Sequence, residues 1–275
     1  MLGSIQSQAV FTFRYDVERQ QTWLSERKTG GLCHVSKPYW DGDVLLTQVI
    51  NPTAGLFAGD TLAIRVSVEE GSSVALTSPS ATRFHTMDSE KARVDQHFSI
   101  KEGAYLEFLP DWNIPQKNSE VEQDTTVDVA KGGQCVFVER FMPGRIAHGE
   151  AYTFRSFTAR TKVYYASKLV SQERMHLEGG EDGWPLHTRE FKISYYGAFW
   201  LVKENIKDQQ KIVYELENLL SSDQIYCGVT LLNDSVMIVR LMASRSVHMQ
   251  SCIVQTRKHL TSVFPELKGA DRVIG

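Results

Sequence analysis

The sequence lacks the long apolar runs, paired cysteines and basic stretches that mark several common protein classes. No apolar run approaches the ~20 residues that a membrane-spanning helix needs. The N-terminus has no basic segment followed by an apolar one, which argues against secretion. The four cysteines are scattered without a CxxC pair, as is typical of free thiols in a reducing compartment. With a net charge of -3 and no run of Lys or Arg, we predict a cytoplasmic protein that binds neither nucleic acid nor a membrane.

The sequence also lacks the signatures of common catalytic and metal sites. It contains no GxSxG nucleophile elbow and no HExxH zinc motif. In the loop 51–60, Asp60 and Thr61 follow the second glycine, where a phosphate-binding loop has Lys and Ser or Thr. A strand rather than a helix comes next. His148 and Glu150 match the HxE of zinc deaminases, but the Pro-Cys-x-x-Cys that follows it in that motif is missing. We therefore expect no enzyme of these classes.

A short pattern that occurs three times is the most informative feature that the chain does contain. Each copy is an apolar alternation, two further residues, a glycine, and a second alternating run. The copies begin about 30 residues apart, and a unit of this size must bury its apolar face against its neighbours. The pattern predicts either stacked β-coils or successive hairpins of one sheet system, and we expect a mainly β fold of β-helix or solenoid type with stacked strands. The copies are Val66–Leu76, Phe98–Phe108 and Val127–Phe137.

Apolar periodicity predicts strands through most of the first 200 residues and two α-helices in the C-terminal quarter. We predict a single domain, 1–275, with a β-rich body at about 9–200. A helix–hairpin–helix unit at about 201–265 should pack on an end or flank of that body, where it would cover a sheet edge. The predicted strands are 9–24, 44–50, 62–68, 74–78, 94–100, 104–109, 125–129, 135–141, 151–157, 162–170 and 190–196, with a loop at 179–185. The C-terminal unit comprises a helix at 203–222, strands at 225–232 and 235–242, and a helix at 247–264 that Pro265 ends.

Several carboxylates lie within or next to apolar runs. Glu139 follows three apolar residues, and a buried carboxylate is costly unless it is paired, hydrated or bound to metal. A solvated outer face or a salt bridge to a nearby arginine is the plainer interpretation, and periodicity alone favours it. The carboxylates are Glu107, Asp111, Glu139, Glu150 and Glu173, and the nearby arginines are Arg140, Arg145 and Arg174.

Five sequence blocks, in order and with compatible spacing, resemble the urease accessory protein family UreD, also called UreH. The family patterns are Pro-Gly-Gly…Gly-Gly-Asp, Thr-x-Pro-(Gly/Ala)-Ala-(Ser/Thr)-Lys, Leu-Glu-Trp-Leu-Pro, Gly-Arg-x-x-x-Gly-Glu and Leu-x-x-Glu-Arg. The resemblance covers nearly the whole chain, including the helix–hairpin–helix tail. The corresponding blocks here are Asn51–Asp60, Leu76–Arg83, Leu106–Pro110, Pro143–Glu150 and Leu169–Arg174.

This resemblance implies a mostly β fold with two helices and no catalytic activity. It implies a scaffold, part of a hetero-oligomeric complex, that links apo-urease to the accessory proteins UreF and UreG, the latter a GTPase. Together these proteins promote nickel insertion and carbamylation of the urease active-site lysine. The resemblance also implies an internal polar path for Ni²⁺, with no tightly bound cofactor.

Carried over position by position, the residues of that path are Asp43, Asp60, Thr82, Glu139 and Glu173. Carboxylate and hydroxyl oxygens hold Ni²⁺ weakly compared with imidazole or thiolate, and transit requires weak binding at several places. The sequence departs from the family at Asn51, where His is frequent, and at Thr53 and Ala54, which replace a Pro/Gly pair.

Two other interpretations remain open at this stage. The first is a standalone β-solenoid hydrolase that acts on a carbohydrate or a small molecule, with Glu139 and Glu150 as its carboxylate pair. A glycosidase pair must lie about 5–10 Å apart across a cleft, which a sequence cannot establish. The second is a UreD-like protein that has no urease partner.

Overall fold

The computed structural model describes residues 3–180 and 194–268. Strands make up most of this part of the chain, and they assemble into two large sheets. The strands are β1 (Gln6–Asp16), β2 (Gln21–Lys28), β3 (His34–Val35), β4 (Tyr39–Asp41), β5 (Val44–Ile50), β6 (Thr61–Val68), β7 (Ser73–Thr77), β8 (Thr82–Phe84), β9 (Ala92–Ile100), β10 (Tyr105–Leu109), β11 (Asn113–Pro115), β12 (Glu120–Val129), β13 (Gln134–Phe141), β14 (Ser156–Tyr165), β15 (Lys168–Glu178), β16 (Tyr195–Val202), β17 (Ile225–Asn233) and β18 (Val236–Ala243). The helices are α1 (Gln209–Leu220) and α2 (Ser246–Val263), with a short 3-10 turn at Ile146–His148.

The first sheet has the strand order β15-β14-β12-β9-β6-β1-β2, and the second has the order β17-β18-β16-β13-β10-β7-β5-β3. Strands β1, β6, β9, β12 and β14 run parallel in the first sheet, as do β5, β7, β10 and β13 in the second. Antiparallel strands flank both parallel sets, with β2 and β15 at the edges of the first sheet. The short strands β8 and β11 pair with each other beside β13.

The three sequence repeats are three stacked coils of a β-solenoid, as predicted. Each coil places its first strand in the first sheet and its second strand in the second sheet, with the glycine at the turn between them. Gly71, Gly103 and Gly132 have φ of 70°, 64° and 78°, a region that L-residues with a side chain rarely adopt. The Gly71 amide donates to the Glu102 carbonyl and the Gly103 amide to the Gly132 carbonyl, so hydrogen bonds between turns hold successive coils in register.

Aromatic side chains fill the space between the two sheets. Phe98 of the first sheet packs against Phe108 of the second, with ring centroids 4.6 Å apart. Phe137 lies 4.9 Å from Trp200, measured between ring centroids. Burying one such side chain stabilises the fold by roughly 1.5–3 kcal/mol, so this aromatic layer is a main source of stability. Because strand residues alternate between faces, β13 sends Phe137 and Phe141 into this core and Val136 and Val138 to the opposite face.

The C-terminal elements extend the second sheet and then cover its outer face. Strand β18 pairs antiparallel with β16, so the hairpin β17–β18 continues the sheet. Helix α1 contributes Ile212, Leu216 and Leu220 to a second core, to which α2 adds Met249 and Ile253. The helices thus pack on a sheet face, whereas the sequence suggested that the unit covers an edge. Among the described residues, none of the helices is long and apolar enough to cross a membrane.

Three strand predictions need correction. The predicted strand 9–24 is the hairpin of β1 and β2. The predicted strands 151–157 and 162–170 are displaced, because β14 and β15 meet at a tight turn of Ala166 and Ser167, with φ of 47° and 63°. A two-residue turn of this kind needs positive φ at both residues and usually contains Gly, Asn or Asp, so Ala and Ser gave no sequence signal for it. Residues 190–193 of the predicted strand 190–196, and 181–185 of the predicted loop, lie outside the described residues, and β16 begins at Tyr195.

Candidate functional site

A small cavity with polar and apolar residues in its lining lies between the two sheets, and we call it the inner cavity. It has a volume of about 70 Å³ and is bounded on its apolar side by Phe108 and Phe137. Inward-facing residues of both sheets and the segments that follow β5, β7 and β10 supply the rest of its lining. Its polar lining includes Asn51, Ser78, Thr82, Gln96, Asp111, Asn113, Gln123 and Glu139.

A larger cavity of about 370 Å³, here called the side cavity, lies on the other side of Glu139. Thr161 of β14, Glu173 of β15 and Arg240 of β18 line it. Glu139 is the one residue that lines both cavities among those the structure describes. Its carboxyl group therefore forms part of the wall between them.

The environment of Glu139 favours its protonated form. Burial raises the pKa of this carboxyl to about 7, and the nearby charge of Glu173 contributes to the rise. The Thr161 hydroxyl opposes it by donating a hydrogen bond to Glu139 Oε1 over 2.7 Å. A carboxyl with this pKa exchanges its proton near neutral pH, which an ordinary surface glutamate does not do.

Glu173 carries its charge next to a counter-ion. Its Oε1 accepts a hydrogen bond from the Arg240 guanidinium, which comes from the neighbouring sheet. Tyr196 completes this group, and burial together with the two carboxylates raises the pKa of its hydroxyl. The side cavity thus holds two carboxylates, one guanidinium and one phenol within a partly closed space.

The other predicted path residues lie elsewhere. Asp60 is 2% exposed and accepts the backbone N–H of Ile5 and of Phe57, at 2.7 and 2.8 Å. Both of its oxygens therefore hold the backbone together. Asp43 lies in the exposed turn between β4 and β5, beside a separate cavity that Arg257 also lines. The structure thus brings Thr82 and Glu139 to the inner cavity and Glu139 and Glu173 to the side cavity, but Asp43 and Asp60 to neither.

The two carboxylates of the hydrolase alternative do not share a cavity within residues 3–180 and 194–268. Glu150 follows the 3-10 turn, where its Oε2 accepts a hydrogen bond from Arg145 Nε over 2.7 Å. That ion pair lowers the pKa of Glu150. No feature of this arrangement places Glu150 opposite Glu139 across a cleft.

The described residues contain no group of three or more His, Cys, Asp or Glu side chains that could hold a metal ion. Two carboxylates with one hydroxyl form an open set of weak oxygen donors. Such a set suits a cation that binds briefly. Transient Ni²⁺ binding, and the expectation of no tightly bound cofactor, stay predictions.

Comparison with known proteins places this chain in a family. The family model described as UreD urease accessory protein matches residues 7–273. The chain belongs to the UreD family of urease accessory proteins. The match spans both sheets and both helices, as the five sequence blocks suggested.

Individual UreD proteins match over most of their length. The chain is 31% identical over 239 residues to the urease accessory protein UreD of Opitutus terrae, covering 86% of this chain and 87% of that protein. It is 29% identical over 243 residues to UreD of Cupriavidus necator, with 86% and 82% covered. Identity to UreD of Escherichia coli is 25% over 260 residues, with 92% of each chain covered.

Sequence reasoning missed three residues of the side cavity in this UreD-family chain: Thr161, Tyr196 and Arg240. A weak signal exists for Arg240, which interrupts the otherwise apolar strand β18. No local pattern identifies Thr161 or Tyr196, because their role depends on a carboxylate that reaches them from another strand.

Proposed function

We propose that this protein promotes maturation of the nickel centre of urease in the cytoplasm. In this proposal it acts as a scaffold that joins apo-urease to the accessory proteins UreF and UreG in one complex. It also admits Ni²⁺ transiently through the inner and side cavities. Membership of the UreD family supports the accessory role, and the carboxyl and hydroxyl groups among the residues that line the two cavities support the passage of a cation.

The position of Glu139 is the observation that carries the nickel part of the proposal. Glu139 lines both cavities, so a cation that moves between them would pass this residue. With its pKa at about 7, the carboxyl is partly protonated at neutral pH and can exchange a proton for a metal ion. A single exchangeable oxygen ligand binds Ni²⁺ weakly enough to release it again.

Glu173 and Thr161 would assist Glu139 in the side cavity. Thr161 orients the Glu139 carboxyl through its hydrogen bond, and Glu173 adds a second negative charge. Arg240 neutralises Glu173 while no cation is present. An incoming Ni²⁺ would compete with that guanidinium for the carboxylate, which further limits the strength of binding.

The test is co-expression of urease subunits, UreF and UreG with this protein in nickel-containing medium. Purification of the complex, a urease assay and the nickel content of urease are the readouts. Without this protein, urease should stay inactive and poor in nickel. If the accessory proteins and urease do not co-purify with it and urease activates without it, the scaffold proposal is wrong.

Glu139→Gln tests the nickel path separately from assembly. The variant keeps the size of the side chain and a hydrogen-bond acceptor for Thr161, but it loses the charge. Complex formation should be unchanged while urease activation and nickel content fall by about 10-fold, a loss that corresponds to ~1.4 kcal/mol. Asp124→Asn is the matched control, because Asp124 is exposed on β12 and pairs with Arg160. Equal activation by both variants would contradict the role of Glu139.

A further inference from the structure

A third cavity, here called the outer cavity, opens where helix α2 begins. It has a volume of about 490 Å³, and Ser246, Val247 and Gln250 of α2 line one side. The other side is formed by the second sheet and the segment that follows β10. It adjoins the inner cavity, since Ser78 and Asp111 line both.

The N-terminus of α2 reaches this cavity without a cap. Arg245 precedes the helix and makes no capping hydrogen bond with its side chain, and no acidic residue occurs in the first turn. The first amides of a helix have no intrahelical acceptor, and they concentrate about half a positive charge at its N-terminus. Many helices begin without a cap, so this feature alone does not indicate a binding site. The second observation is a buried arginine on the opposite side of the cavity.

Arg140 of β13 supplies a buried positive charge to the same cavity. It is 9% exposed, since β13 directs it to the face that α2 covers. Its Nη1 donates a hydrogen bond to Gln250 Oε1 over 2.7 Å, whereas its Nε has no hydrogen-bond partner among the described residues. A guanidinium offers five N–H donors, and a buried donor without a hydrogen-bond acceptor is energetically costly.

The charge of Arg140 is only partly compensated. Asp111 also lines the outer cavity, yet it forms no ion pair with Arg140 within 4.0 Å in the described part of the chain. Burial lowers the pKa of Arg140, and the charge of Asp111 opposes that change. Thr77, Ser78 and Ser246 add hydroxyl groups around the space between them.

From this arrangement we propose that the outer cavity binds a small protonated oxyanion of the hydrogen phosphate or bicarbonate type. The oxyanion accepts hydrogen bonds from the Arg140 guanidinium and from the first amides of α2. Its own O–H donates to the Asp111 carboxylate. Binding neutralises the positive charge beside the inner cavity, and this proposal does not depend on the passage of nickel.

The proton of the ligand should make binding selective among oxyanions. Hydrogen phosphate and bicarbonate carry an O–H at neutral pH, whereas sulfate does not. Sulfate would therefore place an oxygen against Asp111 without a hydrogen bond, and it should bind less well. Asp111→Asn removes the repulsion and supplies an N–H donor, so it should raise the affinity for sulfate and abolish the preference.

Binding is tested by isothermal titration of the full chain with phosphate, bicarbonate and sulfate at constant ionic strength, with chloride as the balancing anion. NMR of the Ser246 and Val247 amides locates the site. We expect saturable binding of phosphate and bicarbonate, and chemical-shift changes of both amides. The affinity of Arg140→Gln should be at least about 10-fold lower, because the variant loses a charge-assisted hydrogen bond to the anion. Arg160→Gln, an exposed arginine of the first sheet, is the control and should bind as the wild type does.

Two results would overturn the proposal. One is the absence of saturable binding by any of the three anions. The other is binding by Arg140→Gln, or by Arg140→Lys if the glutamine variant does not fold, that equals the wild type. Equal affinity of the wild type for sulfate and hydrogen phosphate would refute the role of Asp111, and with it the protonated class of ligand.

Discussion

Replacing Arg257 by Met should destabilise this protein by about 3–5 kcal/mol, because the change leaves a buried carboxylate without its counter-ion. Glu107 of β10 is 0% exposed, and Arg257 of α2, whose side chain is 7% exposed, approaches it with two donors. Nη2 donates to Oε2 over 3.0 Å, and Nε donates to Oε1. Each charge-assisted hydrogen bond contributes roughly 1.5–3 kcal/mol, which agrees with the total. Methionine retains most of the packing of the arginine stem, so the loss reports mainly on the charge.

Urea unfolding followed by tryptophan fluorescence would measure this loss by linear extrapolation. The double variant Glu107→Leu with Arg257→Met should recover most of the stability, since apolar residues commonly replace a buried ion pair without loss.

An exposed pair provides the control for this experiment. Arg65 and Asp95 form an ion pair on the surface of the first sheet, with side chains 40% and 58% exposed. Arg65→Met should cost less than about 1 kcal/mol. A loss of the same small size in Arg257→Met, or a double variant as unstable as the sum of its single changes, would show that Glu107 and Arg257 do not act as a coupled buried pair.

Two further changes test the solenoid turn and the inner cavity. Gly71→Val should destabilise by about 1–3 kcal/mol, because Gly71 has φ of 70°, and an unchanged melting temperature would contradict the strain. The pKa of Glu139 is raised from 4.5 to about 7, so between these pH values the folded protein holds a proton that the unfolded chain has lost. The contribution of Glu139 to stability therefore falls as the pH rises from about 4.5 to 7. Glu139→Gln should remove this dependence of stability on pH. The free energy of unfolding of the variant should exceed that of the wild type at pH 8 by on the order of 3 kcal/mol, with little difference at pH 4. An equal difference at both pH values in urea unfolding would refute the pKa argument.

The stacked coils were predictable because they rest on short-range rules. Alternation of apolar residues and a glycine three residues after the end of each first strand are visible in the sequence, and the structure has these turn glycines at positive φ. The turn of Ala166 and Ser167 was not predictable, since it depends on the pairing of β14 with β15 and contains none of the Gly, Asn or Asp residues that commonly adopt positive φ in such a turn.

The candidate site was less accessible to sequence reasoning. The family resemblance named Glu139 and Glu173, but their cavities exist only because two sheets face each other. It also named Asp60, but both carboxylate oxygens of Asp60 accept hydrogen bonds from backbone amides. A pattern that marks a carboxylate as inward-facing does not tell whether it meets a cavity, an amide or a guanidinium.

The sequence by itself determined the solenoid body, the two C-terminal helices and membership of the UreD family, because periodicity and ordered motifs are properties of the linear chain. Only the tertiary structure decided the partners of the buried charges. Glu107 meets Arg257 and Glu173 meets Arg240 across large separations in the chain. Whether a buried carboxylate is ionised, protonated or paired depends on the desolvation and on the groups that packing brings to it, and both arise only when the sheets and helices have assembled.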